Sequence, residues 1–130
     1  MTQVPQQLKY TEDHEWVRSE ADGSVVIGVT DHAQHQLGEL VYVELPDAGR
    51  AVARGDAMAV VESTKAASDV YAPLTGVVVQ GNPILASQPE LVNTDPYGEG
   101  WLVRLRPADA ADLATLLDST GYTKLLAAEG

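Results

Sequence analysis

Among 130 residues there is no cysteine, so the chain forms no disulfide, no zinc–thiolate centre and no cysteine nucleophile. Any sulfur redox chemistry must arrive on an attached group. The histidines are His14, His32 and His35. His32 and His35 fall on a predicted helix with Asp31 and Glu39 nearby, and His14-Glu15 precedes Trp16. A strong zinc signal would be a histidine pair one turn apart with a downstream carboxylate, as in HExxH. That pattern is absent, the histidines suit a solvated face, and no metal site is expected. Lys65 is more informative. It is the only basic residue between Arg54 and Arg104, and Ser63, Thr64, Ala66, Ala67 and Ser68 surround it. Small neighbours at a hairpin tip leave an amine open to a modifying enzyme. Taken alone, a surface lysine kept for solubility is the commoner reading. A Schiff-base lysine needs burial or neighbouring cations; this stretch offers Glu62 and Asp69 instead.

The elements that must hold these residues are marked by frequent turn signals: Asp22-Gly23, Pro46 to Gly49, Gly55-Asp56, Pro73, Gly76, Gly81 to Pro83 and Asp95-Pro96. Between them lie strand-forming runs at 15–18, 24–29, 40–45, 57–62, 77–79 and 101–106, which predict a compact antiparallel β domain. Asp22-Gly23 predicts a two-residue hairpin turn. Trp101, Val103 and Leu105 alternate with Arg104 and Arg106, as on a strand with one wet face. Trp16, Val43, Val60 and Trp101 are expected in the core. Thr30-Asp31 caps a short helix through Leu37, closed by Gly38. A further turn is expected over 87–92, with Pro89 early. From Asp109 onward Leu113, Leu116, Leu117, Tyr122, Leu125 and Leu126 recur at helical spacing, which predicts two short helices broken near Gly121. Gly38 and Gly76 each open a similar strand-and-turn passage, one on either side of 62–70, and suggest pseudo-twofold halves.

Eight Lys+Arg against nineteen Asp+Glu leave a net charge of −11, the wrong sign for nucleic acid or an anionic membrane as principal partner. No apolar run approaches a membrane span. Met1 to Gln7 carries neither a signal nor a transit pattern, so the expected location is the cytoplasm of a bacterial type, with the mitochondrial matrix left open. One domain is expected, residues 9–130, with C-terminal helices over about 109–128 and a short flexible tail at 1–8.

Residues Glu62-Ser63-Thr64-Lys65-Ala66-Ala67-Ser68-Asp69, followed by Tyr71-Ala72-Pro73 and Gly76, resemble the lipoyl-lysine hairpin of the glycine cleavage system H protein family. The resemblance extends through Tyr10, His14-Glu15-Trp16-Val17, Gly28-Val29-Thr30-Asp31 with Ala33-Gln34, Leu37-Gly38-Glu39 and Val43-Glu44-Leu45-Pro46 with Gly49. It also covers Pro89-Glu90-Leu91-Val92-Asn93 through Asp95-Pro96-Tyr97-Gly98-Glu99-Gly100-Trp101, whose most specific part is the stretch from Asn93 to Trp101, since generic lipoyl domains lack it. Thr64 stands where many members have Val, and Gln36 where some carry a cleft histidine, so no histidine role is transferred.

The resemblance implies a mainly β lipoyl/biotinyl-type barrel-sandwich hybrid, with an extra N-terminal hairpin and short C-terminal helices. It implies a carrier, not an enzyme, with lipoate in amide linkage on Lys65 and Glu62, Ser63, Thr64 and Ala66 as the hairpin that lipoylating enzymes recognise. The implied partners are the glycine decarboxylase, which loads an aminomethyl group as carbon dioxide leaves, the aminomethyltransferase and the dihydrolipoyl dehydrogenase. PLP, tetrahydrofolate, FAD and NAD belong to those partners. The arm spans roughly 14 Å, from about eleven bonds, and can reach into a partner or fold back. Glu15 and Asp69 match family positions near a cleft and are expected to neutralise the protonated amine there. A monomer is expected. The alternatives are a lipoyl domain of another multienzyme complex, a lipoyl donor in a lipoate relay, a biotinyl domain and an unmodified scaffold.

Overall fold

A computed structural model describes residues 3–129; Met1, Thr2 and Gly130 lie outside the described residues. The N-terminal hairpin is β1 (Lys9–Tyr10), β2 (Glu15–Ser19) and β3 (Val25–Val29). Helix α1 (Asp31–Leu37) and strand β4 (Leu40–Glu44) follow. Next come β5 (Ala51–Val52), β6 (Ala57–Ser63), β7 (Ala67–Tyr71) and β8 (Gly76–Gly81). A 3-10 turn at Pro83–Ala86 leads to α2 (Leu91–Thr94) and β9 (Val103–Pro107). A second 3-10 turn, Ala110–Thr115, precedes α3 (Ser119–Glu129). The strands form a sheet in the order β1-β2-β3-β9-β8-β5 and a second in the order β4-β6-β7, every pairing antiparallel. The two echoed passages place β4 and β8 in opposite sheets, as halves related across a sandwich require.

Strand β3 is buried at every position, which an antiparallel strand achieves only when both faces are covered. On the inner face Val25, Ile27 and Val29 join Val61, Val70 and Leu105 in the core between the sheets. On the outer face Val26 packs with Leu8, Tyr10, Trp16 and Tyr122 in a second cluster, closed by Leu125 and Leu126 of α3. Gly28 pairs directly opposite Trp16, and a Cβ on Gly28 would lie 2.6 Å from the indole. The indole N–H donates to the Pro96 carbonyl at 2.9 Å, which ties the 95–101 stretch to the hairpin.

Several expectations differ in detail. Glu20 and Ser24 close a three-residue loop with Gly23 at φ 88°, so the turn is not the two-residue type; the Asp22 carboxylate holds the Ser24 N–H and hydroxyl. The turn expected over 87–92 resolves into the earlier 3-10 turn, which Asn82 caps ahead of Pro83, and α2 after Pro89. The C-terminal break falls before Ser119 because the Asp118 side chain accepts the Gly121 N–H at 2.8 Å and starts α3 there. Val60 and Trp101 are half-buried; Trp101 lies just before β9 with the Arg104 guanidinium 6.0 Å from its ring. Within 3–8, Leu8 is buried, the Pro5 carbonyl accepts from the Tyr10 hydroxyl and the Gln3 N–H donates to Asp31, while Gln3, Gln6 and Gln7 are exposed.

Candidate functional site

The hairpin tip is built by one hydroxyl. Strands β6 and β7 are in register to Glu62 opposite Ala67, and the Ser63 N–H donates to the Ala66 carbonyl at 2.8 Å. The Ser63 Oγ accepts the N–H groups of Lys65 and Ala66 at 3.3 and 3.1 Å. Thr64 and Lys65 therefore sit at the apex, both exposed, and neither has a positive φ. Glu62 and Ser63 are half-buried at the base of the turn, and Ala66 is exposed. The hydroxyl supplies the bonds that a bare two-residue turn would obtain from primed geometry.

The Lys65 stem leans over Gly38, the residue that ends α1 with φ 82°. A Cβ at Gly38 would lie 3.3 Å from Lys65 Cε and 3.7 Å from Nζ. Gly38 is itself clamped: the Asn93 amide donates to the Gly38 carbonyl at 2.8 Å and to Gln34 Oε1 at 3.1 Å, while its Oδ1 accepts the Leu40 N–H at 2.8 Å. Asn93 thus fixes the ground beneath the lysine from the far 89–101 segment.

Beyond Gly38, α1 and β7 enclose a cleft of about 150 Å³. Its walls include Val29, Val61 and Leu37, with Glu15 and Asp69 both on the lining. The structure thus brings together the two carboxylates singled out from sequence. They differ in state. Asp69 is exposed, whereas Glu15 is 2% exposed. Thr11 Oγ1 donates to Glu15 Oε1 at 2.7 Å and the Tyr71 N–H to Oε2 at 3.3 Å. Burial nevertheless dominates and pushes the Glu15 carboxyl up to about 7, with Asp13 adding to the rise against those two bonds. A larger cavity, about 240 Å³, shares Asp13 and Glu15 with the cleft but lies toward Arg54 and Leu116 and takes no residue of α1 or the hairpin tip.

Sequence reasoning missed Thr11, and named Tyr71 and Asn93 only within the family resemblance, without these bonding roles. Thr11, four residues before Glu15, also accepts the Asp13 and Glu15 N–H groups, a turn signature legible in Thr-Glu-Asp-His-Glu. Tyr71 acts through its backbone, and Asn93 across a long sequence separation, so neither leaves a local signal. Gln36 lines the cleft; His35 faces Asp31 at 3.4 Å.

An exposed primary amine at a hairpin apex, a glycine cradle that a Cβ would fill, and an acid-lined cleft beyond it define a carrier of a tethered group. The residues present fit a lipoyl arm. A family model described as Glycine cleavage H-protein matches residues 8–129. The glycine cleavage system H protein of Halorhodospira halophila is 61% identical over all of both chains. That of Alkalilimnicola ehrlichii is 58% identical over 99% of each. A crystal structure of a glycine cleavage system H protein from Mycobacterium marinum superposes with a TM-score of 0.86 at 38% identity, covering 95% of this chain and 99% of that one. The chain belongs to the glycine cleavage H-protein family, whose members carry lipoate on a lysine and act as carriers, not catalysts.

Proposed function

We propose that Lys65 is the lipoyl-bearing lysine and that the cleft between α1 and β7 shelters the loaded end of the arm. The observation that carries this is the Lys65 stem lying across Gly38, one residue beyond Leu37 of the cleft wall. When bound, lipoate supplies the redox-active sulfur pair that the polypeptide lacks. The chain's own residues do the rest. Ser63 holds the tip in a shape that lipoylating enzymes read, with Glu62, Thr64 and Ala66 around it. Val29, Val61 and Leu37 exclude water from the arm. Glu15 and Asp69 offer negative charge to a cationic amine.

In this reading the chain ferries the aminomethyl unit of glycine from glycine decarboxylase to aminomethyltransferase, and dihydrolipoyl dehydrogenase then reoxidises it. Tethering raises the cargo's effective concentration at whichever partner has docked. We place it in the bacterial cytoplasm, as a monomer; the curated relatives compared are bacterial. No helix among the described residues is long and apolar enough to cross a membrane. Intact-mass measurement after treatment with lipoate and a lipoylating enzyme tests the assignment. One lipoyl unit per chain is expected, and none on folded Lys65→Arg; a lipoylated Lys65→Arg chain would overturn it.

A further inference from the structure

We propose that His14, His32 and Glu129 bind a borderline divalent cation of the zinc class, and that this ion clasps α3 to the hairpin and to α1. These residues are far apart in sequence, yet one ligand atom from each lies within 4.8 Å of the other two. His14 Nε2 is 3.1 Å from Glu129 Oε1, and the rings of His14 and His32 lie 4.7 Å apart between centroids, tilted by 40°. Two donors on one tetrahedral zinc stand about 3.3 Å apart, so that pair is already at ligating separation. Glu129 is an exposed terminal-turn side chain, free to rotate the remaining distance.

Three further observations point to a cation. His32 Nε2 is buried and has no hydrogen-bond partner among the described residues, an orphaned polar atom on one of the three clustered side chains. His14 has the orientation of a supported ligand: its Nδ1 is 2.8 Å from the Tyr122 hydroxyl, which lies 2.7 Å from Thr30 Oγ1. With the Tyr122 hydroxyl bonding Nδ1, Nε2 is the ring atom that faces the Glu129 carboxylate 3.1 Å away, where a metal can take the place of a bridging proton. His14 also holds φ 68°, a left-handed backbone uncommon outside glycine, which aims the ring inward at a conformational cost.

Two imidazoles and a carboxylate suit Zn²⁺ over hard cations, which take all-oxygen shells. The test uses the full chain, free of tags and stripped with EDTA, titrated with Zn²⁺ by calorimetry and followed by thermal melting. One equivalent of Zn²⁺ is expected, with Tm rising as Zn²⁺ is added and no displacement by excess Mg²⁺. His32→Gln and Glu129→Gln should each weaken binding at least tenfold, and His35→Ala should leave it unchanged. Both substituted side chains are clear of the two cores, so circular dichroism should report native folds. His14 is left in place because it also anchors Tyr122. Absence of a saturable equivalent, unchanged affinity in folded His32→Gln, loss in His35→Ala, or displacement by Mg²⁺ would each overturn the site.

Discussion

Glu15 is the residue on which stability and the proposed sheltering of cargo meet. An ordinary glutamate ionises near 4.5, and burial here moves that to about 7. Between those values the folded chain holds a proton that the unfolded chain has released, so stability falls as pH rises across the window. The contribution is full below the lower value and lost through the upper one, about 3 kcal/mol in order of magnitude. Urea denaturation at pH 5 and pH 8 should show the loss, and Glu15→Gln should flatten it. A cationic amine in the cleft would favour the ionised form, so loading should shift the midpoint of the effect downward. Glu15→Gln combined with Asp69→Asn should speed decay of the loaded carrier, followed by quenched-flow or mass measurement; unchanged decay would remove the carboxylates from the sheltering role. Lys65→Arg, at an exposed apex, should change unfolding free energy by less than about 0.5 kcal/mol. Residue types alone drew attention to Lys65 as the only cation in a long acidic stretch, but favoured a solubility role; the attachment role rested on the family resemblance. The cleft carboxylates depended on family resemblance, since nothing local separates Glu15 from a solvated strand residue.

At the scale of elements, the outer face of β2 and β3 carries a close fit. Gly28→Ala drives a methyl into the Trp16 indole, which is itself anchored to Pro96, and should cost on the order of 1–3 kcal/mol by chemical denaturation. Asn93→Ala strips the Leu40 N–H and Gly38 carbonyl of their partner and should cost about 2 kcal/mol. It should also slow lipoylation of Lys65, since the ground under the tip loosens. Helix α1 was legible because Thr30 accepts the Ala33 N–H and Gly38 ends the helix at positive φ, both written into local residue types. The start of α3 was misplaced for a comparable reason. Gly121 looks like a stop, but Asp118 is the stronger start, and a glycine inside a helix is tolerated when a cap and a packed Tyr122 hold the turn.

Taken whole, the molecule is a small sandwich with a second hydrophobic layer on one face. A chain ending before Ser119 loses Tyr122, Leu125 and Leu126 and bares Tyr10, Trp16 and Val26, so it should melt far below the full chain or bind a hydrophobic dye in the cold. Alternation and turn spacing made the β class legible. They could not show the five-residue buried run of β3 to be doubly covered, because burial on the second face is decided by a helix more than ninety residues on (from Val29 to Tyr122). The same separation hid the grouping of His14, His32 and Glu129, since no spacing rule links positions joined only by tertiary packing.

Gly38 leaves a gap under the Lys65 stem, and with the proposed arm on Lys65 that gap bears on timing. A methyl there would crowd the stem and force a left-handed backbone on alanine, so the leash would set out on a different heading. On the proposed reading, harbour and open water compete for the same passenger, and a missing methyl helps set the balance between them. Gly38→Ala should therefore alter how long cargo lingers at home before it travels, with no change in any group proposed to touch it.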